Sequence, residues 1–306
     1  MRVAITGAGG RLGRALIAAL EESPATGPGG PIPWTRADFD LDEPGRPGER
    51  LDRDRVEAIV HAAAWTDVDG CARDPSLALR RNADAVDVLA RATAERGIHF
   101  VLVSTNEVFD GARTDGRGYR PDDPVSPPNP YGASKLAGER AATAAYAAGT
   151  GDLDIVRTSW LFGPGAPDFP TKILAAAERA RHDGAPLRVV ADEWSSPTYV
   201  LDLAEGIVDL VVNRPPGPAA THHVVNAGVA SRADWAREVL RLGAMTDVAT
   251  EDVPSTSWPR PSTPPRWGVL EPTELPGGEP LRDWRGAMAD YAPVLRRAVA
   301  AASAAR

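Results

Sequence analysis

Residues 5–16 read ITGAGGRLGRAL, a glycine-rich turn between an apolar run and an amphipathic stretch. Gly7, Gly10 and Gly13 are spaced GxxGxxG rather than GxGxxG, the spacing of the general dinucleotide fingerprint. Glycine is needed where a chain turns sharply and where backbone amides approach a pyrophosphate at a helix N-terminus. A plain tight turn is the alternative interpretation, but the position between the first strand and the first helix favours dinucleotide binding.

The rest of the chain alternates buried strands with amphipathic helices. Strands are predicted at residues 3–6, 58–63, 100–104 and 155–159. Helices are predicted at residues 12–21, 76–96, 131–148, 201–212 and 231–241, the last with Ser231 as its N-cap. This alternation predicts βαβ units and therefore a parallel sheet.

Composition excludes several classes of function. A chain of 306 residues with 43% hydrophobic content can bury the core of one large α/β unit or of two closely joined lobes. A net charge of −8 with no basic stripe argues against nucleic acid as a partner. Cys71 is the only cysteine and the five histidines lack metal-ligand spacing, so no disulfide and no metal are expected. No apolar run is long enough for a bilayer, so no membrane partner and a cytoplasmic location are expected.

Residues 253–280 contain eight prolines, which exclude a long helix or a central strand. A disordered linker is one interpretation. Trp258, Trp267 and Leu270 provide apolar anchors, however, and linkers seldom carry such side chains. We therefore expect an ordered, looping segment, after which a helical pattern resumes at residues 281–297.

The second strand is expected to end near Trp34, where NAD-preferring sites offer an acid to the ribose 2′-hydroxyl. Here the chain continues Thr35-Arg36. An arginine favours a 2′-phosphate through charge-assisted hydrogen bonds, and Arg11 in the glycine turn could add to it. NADPH is therefore expected as cofactor, with NADH possible. The alternative is that both arginines are solvated surface side chains.

Residues 128–140 read PNPYGASKLAGER and place Tyr131 and Lys135 one turn apart on the same face of a helix. A phenol is a poor acid at neutral pH, and a nearby ammonium would lower its pKa toward the working range. Such a pair can donate a proton to a carbonyl oxygen. Chance spacing is the alternative, but Ser104 and Thr105 end the intervening strand, which favours a joint role.

Several segments together resemble the extended short-chain dehydrogenase/reductase superfamily and, within it, the dTDP-4-dehydrorhamnose reductase family. They read HAAAWTDVDGC, VSTNEVFDG, NPYGASKLAGE, RTSWLFG, DEWSSPTYVLDLA and LRDW, and span nearly the whole chain. The resemblance implies an α/β fold, a Rossmann-type doubly wound parallel sheet with a second, smaller α/β substrate-binding lobe. It implies an NADP(H)-binding domain at residues 1–160, to which a segment near 200–226 returns, and a substrate-binding lobe at residues 161–306. A nucleotide-sugar substrate and a monomer or homodimer are expected.

The resemblance also implies roles for individual residues. Thr105, Tyr131 and Lys135 match the catalytic set of the family. The match implies that Thr105 hydrogen-bonds the ketone oxygen, that Tyr131 protonates it, and that Lys135 binds the nicotinamide ribose. The implied cofactor-binding residues are Gly7, Gly10, Arg11, Leu12, Gly13, Arg36, Asp40, Leu41, Ala62, Ala63, Ala64, Tyr131 and Lys135. The implied substrate residues are Val68, Asn106, Glu107 and Trp160. Asn82 matches a frequent family asparagine, or it ties a helix to the sheet.

The segment VSTNEVFDG departs from the family pattern. Reductases of the family usually read STDYVFDG, and the related 4,6-dehydratases STDEVYG, whose acid pair removes water. Asn106 has no proton to give at neutral pH, although Glu107 could still serve as a base. The segment therefore argues against dehydration and is compatible with reduction. Gly268 and Glu271 replace a serine and an aspartate near the substrate, and Arg14 and Ala15 stand where some members carry a metal-binding acid.

Three functions remain open from the sequence. The first is an NADPH-dependent reductase of the 4-keto group of a nucleotide-activated 6-deoxysugar. The second is a non-catalytic NADP-binding protein, like the methionine adenosyltransferase regulatory subunit that shares this fold. The third is a nucleotide-sugar epimerase or lyase with Glu107 as base. A positioned proton donor has no use in a binding module, so the set Thr105, Tyr131 and Lys135 favours an enzyme.

Overall fold

A computed structural model describes residues 1–165, 167–214, 217 and 219–304. The strands are β1 Val3–Thr6, β2 Ile32–Trp34, β3 Ala58–His61, β4 His99–Thr105, β5 Leu153–Thr158, β6 Leu161–Phe162, β7 Leu187–Val190, β8 Trp194–Ser195, β9 Thr198–Tyr199, β10 Ala220–His223, β11 Ala230–Ser231 and β12 Thr250–Val253. The helices are α1 Arg11–Glu22, α2 Pro47–Asp54, α3 Val68–Arg73, α4 Pro75–Leu79, α5 Ala85–Ala94, α6 Pro130–Ala148, α7 Phe169–Asp183, α8 Val200–Asn213, α9 Arg232–Leu242 and α10 Trp284–Ala304.

A parallel sheet in the order β10-β5-β4-β3-β1-β2 organises the fold. Its central strands β1, β3, β4 and β5 are buried almost throughout, which explains their apolar character, whereas the edge strands β2 and β10 are partly exposed. Val3 and Ile5 face α1 and α8, whereas Ala4 and Phe100 belong to the core on the side of α5 and α6. The α/β fold with a doubly wound parallel sheet and a second, smaller lobe is thus confirmed.

The second lobe packs α7, α9 and α10 with the short strands β7, β8, β11 and β12. Its core is aromatic and includes Phe162, Trp235, Trp284 and Tyr291. Residues 200–213 leave this part of the chain as α8 and pack on α1, and β10 then pairs with β5 at the edge of the large sheet. The chain therefore crosses three times between the two parts of the molecule: after β5, before α8 and after β10.

One predicted helix differs from the structure in detail, and one predicted cap is confirmed. The helix predicted at residues 76–96 is present as a continuous helical segment, but a π-helical turn at Arg80–Asp84 separates α4 from α5. The Ser231 N-cap is confirmed: its hydroxyl accepts from the Asp234 amide at 3.0 Å, and the Asp234 carboxylate accepts from the Ser231 amide at 3.1 Å. This reciprocal pair is a capping box.

Residues 253–280 form an ordered loop, as expected. Leu270 is buried and forms an isolated parallel β-bridge with Tyr119, and Trp267 forms another with Trp194. Trp258 does not act as a buried anchor, because 44% of it is exposed. Among the residues that the structure describes, no helix has both the length and the apolar character needed to cross a membrane.

Candidate active site

The glycine turn at the end of β1 leaves no room for side chains. Gly7 has a φ of +66°, and a Cβ there would lie 2.9 Å from the Ala63 Cα. A Cβ on Gly13 would lie 2.7 Å from the Ala8 Cα, so strand, turn and helix α1 are in direct contact. Gly10 is the N-cap of α1, and the first turn of that helix carries no acidic side chain. The turn therefore fits a pyrophosphate at the positive end of the helix dipole.

Two cavities meet at this turn and form one cleft, because both are lined by Gly7, Gly10, Ala62 and Ala64. The outer cavity, about 310 Å³, is also lined by Arg36, Phe39, Asp40, Leu41, Asp42, Ala63, Trp65 and Arg81. The inner cavity, about 500 Å³, is also lined by Arg11, Leu12, Gly13, Thr66, Val68, Val103, Ser104, Thr105, Asn106, Glu107, Tyr131, Lys135, Thr158, Ser159, Trp160 and Leu161. The predicted catalytic set thus lies in the inner cavity and the predicted adenosine contacts in the outer one.

Arg11 and Arg36, expected to serve one anion together, lie in different cavities. Arg36 lines the outer cavity and pairs with Asp40 at 3.0 Å and with Asp42 at 2.9 Å. Arg11 lines the inner cavity and donates to the Leu161 carbonyl at 3.3 Å. The structure therefore corrects the sequence interpretation for Arg11, whose side chain reaches toward β6 rather than toward Arg36.

Tyr131 begins helix α6, and its position is fixed by the cap of that helix. The Asn129 side chain accepts from the Gly132 amide at 2.9 Å, and Pro130 opens the first turn. Thr105, the last residue of β4, lines the same cavity as Tyr131, and its side chain favours the ionised form of the phenol. Lys135 follows one turn later, where its Nζ donates to the Val103 carbonyl at 2.8 Å. The three predicted catalytic residues are therefore brought together.

Burial dominates the electrostatics of this set. It raises the pKa of the Tyr131 phenol, the negative charge of Glu107 adds to the rise, and the hydrogen bond from Thr105 opposes it. Burial also lowers the pKa of Lys135 to about 8, against the opposing charge of Glu139. The expected lowering of the Tyr131 pKa by Lys135 is not found, since the ammonium bonds to a backbone carbonyl rather than to the phenol.

The structure contains a buried ion pair next to the catalytic set that the sequence did not predict. Arg157 of β5 donates to both oxygens of Glu139 in α6, at 3.1 and 2.7 Å. Ser104 donates to the same carboxylate at 2.5 Å. This network joins the strand that carries Thr105 to the helix that carries Lys135, and fixes the spacing of β4, β5 and α6.

The residues after Thr105 connect the sheet to the second lobe. The Asn106 amide donates to the Gly268 carbonyl at 2.8 Å and to the Ser195 hydroxyl at 3.2 Å. Glu107 accepts from the Asn129 side chain at 2.6 Å, and burial raises the pKa of its carboxyl. The Asn106 side chain therefore holds the two lobes together. The Glu107 side chain lies at the wall of the inner cavity.

Trp160 also lines the inner cavity, from the second lobe. Its backbone lies in the left-handed region with a φ of +43°, and its ring stacks on Trp235 with centroids 5.5 Å apart. The Arg232 guanidinium lies 4.2 Å from the Trp160 ring centroid and pairs with Glu193 at 2.6 Å. Val68, the other predicted substrate residue, packs with Cys71 and Tyr131. All four predicted substrate residues therefore line one cavity.

Asn82 has a structural position. Its side chain accepts from the Trp65 amide at 2.8 Å and donates to the Trp65 carbonyl at 3.0 Å and the Ser134 hydroxyl at 3.1 Å. It therefore ties the π-helical turn to the loop after β3 and to helix α6. Of the two interpretations of this asparagine, a tie between elements is the one the geometry supports.

The outer cavity contains residues that the sequence did not single out: Phe39, Asp42, Trp65 and Arg81. Asp42 follows the predicted pair Asp40 and Leu41 and could have been included with it. Arg81 lies inside an uninterrupted helical pattern, so no local signal marks it.

A doubly wound sheet, a glycine cradle and a buried Thr-Tyr-Lys set in one cleft define an extended short-chain dehydrogenase/reductase. The sequence matches the family described as RmlD substrate binding domain over residues 1–296. It is 34% identical to a dTDP-4-dehydrorhamnose reductase of Streptomyces griseus over 95% of this chain and 93% of that one. It is 35% identical to a dTDP-4-keto-6-deoxy-D-glucose reductase of Streptomyces niveus, over 95% and 96%.

A crystal structure of the Bacillus anthracis dTDP-4-dehydrorhamnose reductase in complex with NADP has the same fold. It superposes with a TM-score of 0.83 at 29% identity, covering 95% of this chain and 98% of that chain. The chain belongs to the dTDP-4-dehydrorhamnose reductase family.

Proposed function

We propose that the protein is an NADPH-dependent reductase of the 4-keto group of a nucleotide-activated 6-deoxysugar. The observation that carries this proposal is the buried set Thr105, Tyr131 and Lys135 at the point where the inner cavity meets the glycine cradle. The names of the relatives support a dTDP-linked 4-keto sugar as substrate. The NADP in the Bacillus anthracis structure supports the cofactor.

The cleft has the groups that the cofactor requires. The turn with Gly7, Gly10 and Gly13 would hold the pyrophosphate, and Arg36, Asp40 and Leu41 the adenosine end. Residues 62–64 and Lys135 would lie beside the nicotinamide ribose. NADPH, when bound, supplies the hydride that reduces the ketone carbon. The cavity wall formed by Val68 and Trp160 would bind the sugar and exclude water from its carbonyl.

Thr105 and Tyr131 would act on the ketone oxygen. The Tyr131 phenol is protonated at neutral pH because burial raises its pKa, so it can donate its proton to the developing alkoxide. The Thr105 hydroxyl would orient the ketone oxygen and stabilise the phenolate that remains. The Lys135 ammonium lies one helical turn away, where it would bind the nicotinamide ribose.

We also propose the domain division expected from the sequence. Residues 1–160, with the returning segment near 200–226, would bind the cofactor, and the remainder of residues 161–306 the sugar. The pairing of β10 with β5 supports the return of that segment. Cys71 is buried and unpaired, which fits a cytoplasmic location. A monomer or a homodimer is proposed, and light scattering would distinguish them.

The experiment is to follow NADPH absorbance on mixing the protein with a panel of dTDP-linked 4-keto-6-deoxysugars. Stoichiometric loss of NADPH with formation of the 4-hydroxy sugar is expected. An altered sugar with unchanged absorbance would instead indicate an epimerase or lyase. Cofactor binding without change in any sugar would indicate a binding protein.

A further inference from the structure

The outer cavity ends in a cluster of four charged side chains, Arg36, Asp40, Asp42 and Arg81, here called the outer charge cluster. Asp42 is its centre. One of its oxygens accepts from Arg36 at 2.9 Å and from Arg81 at 2.7 Å, and the other accepts from Arg81 at 2.6 Å. Asp40 accepts from Arg36 at 3.0 Å. A single carboxylate thus bridges two guanidinium groups at the mouth of the cleft.

The two arginines differ in how firmly they are held. Arg81 is 25% exposed, makes a bidentate contact with Asp42, and lies with its guanidinium carbon 5.2 Å from the Trp65 ring centroid. Arg36 is 73% exposed and follows β2 by two residues. Arg81 is therefore a preorganised cation, whereas the Arg36 guanidinium is exposed and has room to change partner.

The charges of the outer charge cluster cancel, since two arginines face two aspartates. Such a cluster gives an incoming anion no net attraction while Asp42 remains between the arginines. A phosphate monoester carries about −1.5 to −2 charges at neutral pH and three acceptor oxygens, more than one carboxylate offers. Exposed ion pairs are weak, so the exchange of Asp42 for a phosphate is energetically accessible.

We propose that Asp42 competes with the 2′-phosphate of NADPH. The phosphate would displace Asp42 and bind between Arg36 and Arg81, so that Arg81 is the second phosphate ligand. Asp42 then determines cofactor specificity: it weakens the preference for NADPH and leaves NADH usable, with Asp40 beside the ribose. The inference rests on the proposed function only in that the cleft binds a nicotinamide dinucleotide. It requires no turnover.

The probes are 2′,5′-ADP and 5′-AMP, which differ by the 2′-phosphate and bind only the adenosine end of the cleft. Calorimetry would give their dissociation constants for wild type, Asp42→Asn and Arg81→Gln. Asp42→Asn is expected to bind 2′,5′-ADP about three- to five-fold more tightly, the scale of one exposed ion pair. Arg81→Gln is expected to bind it about ten-fold more weakly, because a charge-assisted bond is lost. Both variants should bind 5′-AMP within about two-fold of wild type.

Asp87→Asn and Arg91→Gln are matched controls. They change an exposed aspartate and arginine that pair at 2.8 Å on α5, outside the cleft, and should alter neither ligand. Weaker or unchanged binding of 2′,5′-ADP by Asp42→Asn would overturn the inference, as would equal losses of both ligands in Arg81→Gln. If wild type binds neither ligand, the dinucleotide site itself is wrong. If wild type binds both ligands and the variants change the affinity for neither, the dinucleotide site stands and only the role proposed for Asp42 and Arg81 is wrong.

Discussion

Tyr131 illustrates how burial sets the behaviour of one residue. Burial and the negative charge of the Glu107 carboxyl both raise the pKa of its phenol. A phenol with a raised pKa keeps its proton firmly. In the proposed mechanism the proton would be transferred only when the ketone oxygen gains charge, which would couple protonation to hydride arrival.

Tyr131→Phe is expected to lower kcat by about 10²–10⁴-fold, since it deletes the proton donor and keeps the ring. The dissociation constant for NADPH should stay within a few-fold of wild type. Steady-state kinetics and cofactor titration would measure the two effects. Tyr146→Phe is the control: Tyr146 lies on the same helix, and its hydroxyl donates to the Ile98 carbonyl away from the cleft. Near-normal turnover by Tyr131→Phe would refute the mechanism.

Lys135 is expected to give the proposed reaction a pH dependence. Burial lowers its pKa to about 8, so the amine is charged below that pH and loses its proton above it. Turnover is expected to be steady from about pH 6 to 7.5 and to fall as pH rises through about 8. Lys135→Met should be slow throughout and should lack this alkaline limb. A wild-type profile that stays flat to about pH 9.5 would contradict the assignment of Lys135.

At the level of single residues, the sequence predicted those site residues that belong to a short local motif. Gly7, Tyr131 and Lys135 could be identified because each belongs to a short motif within one turn or one helix. Arg81 could not, because it reaches Asp42 across 39 positions of the chain. That contact depends on the order of strands in the sheet, which a window of sequence does not contain.

At the scale of elements, the close packing of α6 explains the π-helical turn. A Cβ on Gly138 would clash with the Asn82 carbonyl, so the two helical segments touch backbone to backbone at this point. The extra residue in the π turn lets Asn82 bond to Trp65 while the helix continues into α5. Hydrophobic periodicity predicted the helix correctly. It does not reveal a π turn, in which each hydrogen bond spans one residue more than in an α-helix.

Gly138→Ala is expected to destabilise the fold by about 1–3 kcal/mol, because the added methyl group must displace the backbone of the π turn. Gly286→Ala is the matched control. Gly286 lies in α10, where a Cβ would meet no atom within 4 Å. The same substitution there should be neutral or stabilise by up to about 1 kcal/mol, since alanine favours helix. Chemical denaturation would measure both, and equal effects would show that the contact with Asn82 is unimportant.

At the scale of the whole molecule, the inner cavity is held in shape by contacts between distant parts of the chain. Asn106 bonds to Gly268 across 162 positions, and Asn129 donates to the Thr263 carbonyl across 134. Arg232 reaches the Trp160 ring from the start of α9. The sequence identified the residues that line this cavity through its motifs. The supporting contacts from residues 253–280 could not be predicted, because that segment carries no periodic pattern.

Glu107 is the residue on which the choice between reductase and epimerase chemistry depends. Its carboxyl is held by Asn129 at 2.6 Å and lies at the cavity wall. Burial raises its pKa, and the charges of Arg260 and Arg232 oppose the rise. A base for the C5 proton would need a partner acid, but the neighbouring Asn106 is an amide engaged by Gly268 and Ser195. This geometry favours a role in sugar recognition.

Glu107→Gln is therefore expected to change KM and the preference among 4-keto sugars more than kcat. The decisive measurement is incubation of wild type and Glu107→Gln with a 4-keto sugar in heavy water, without reduced cofactor, while deuterium at C5 is followed by NMR. Neither protein should incorporate deuterium above the enzyme-free rate, because a reductase does not break the C5–H bond. Rapid incorporation by wild type that disappears in Glu107→Gln would make Glu107 a C5 base, and the protein an epimerase or lyase.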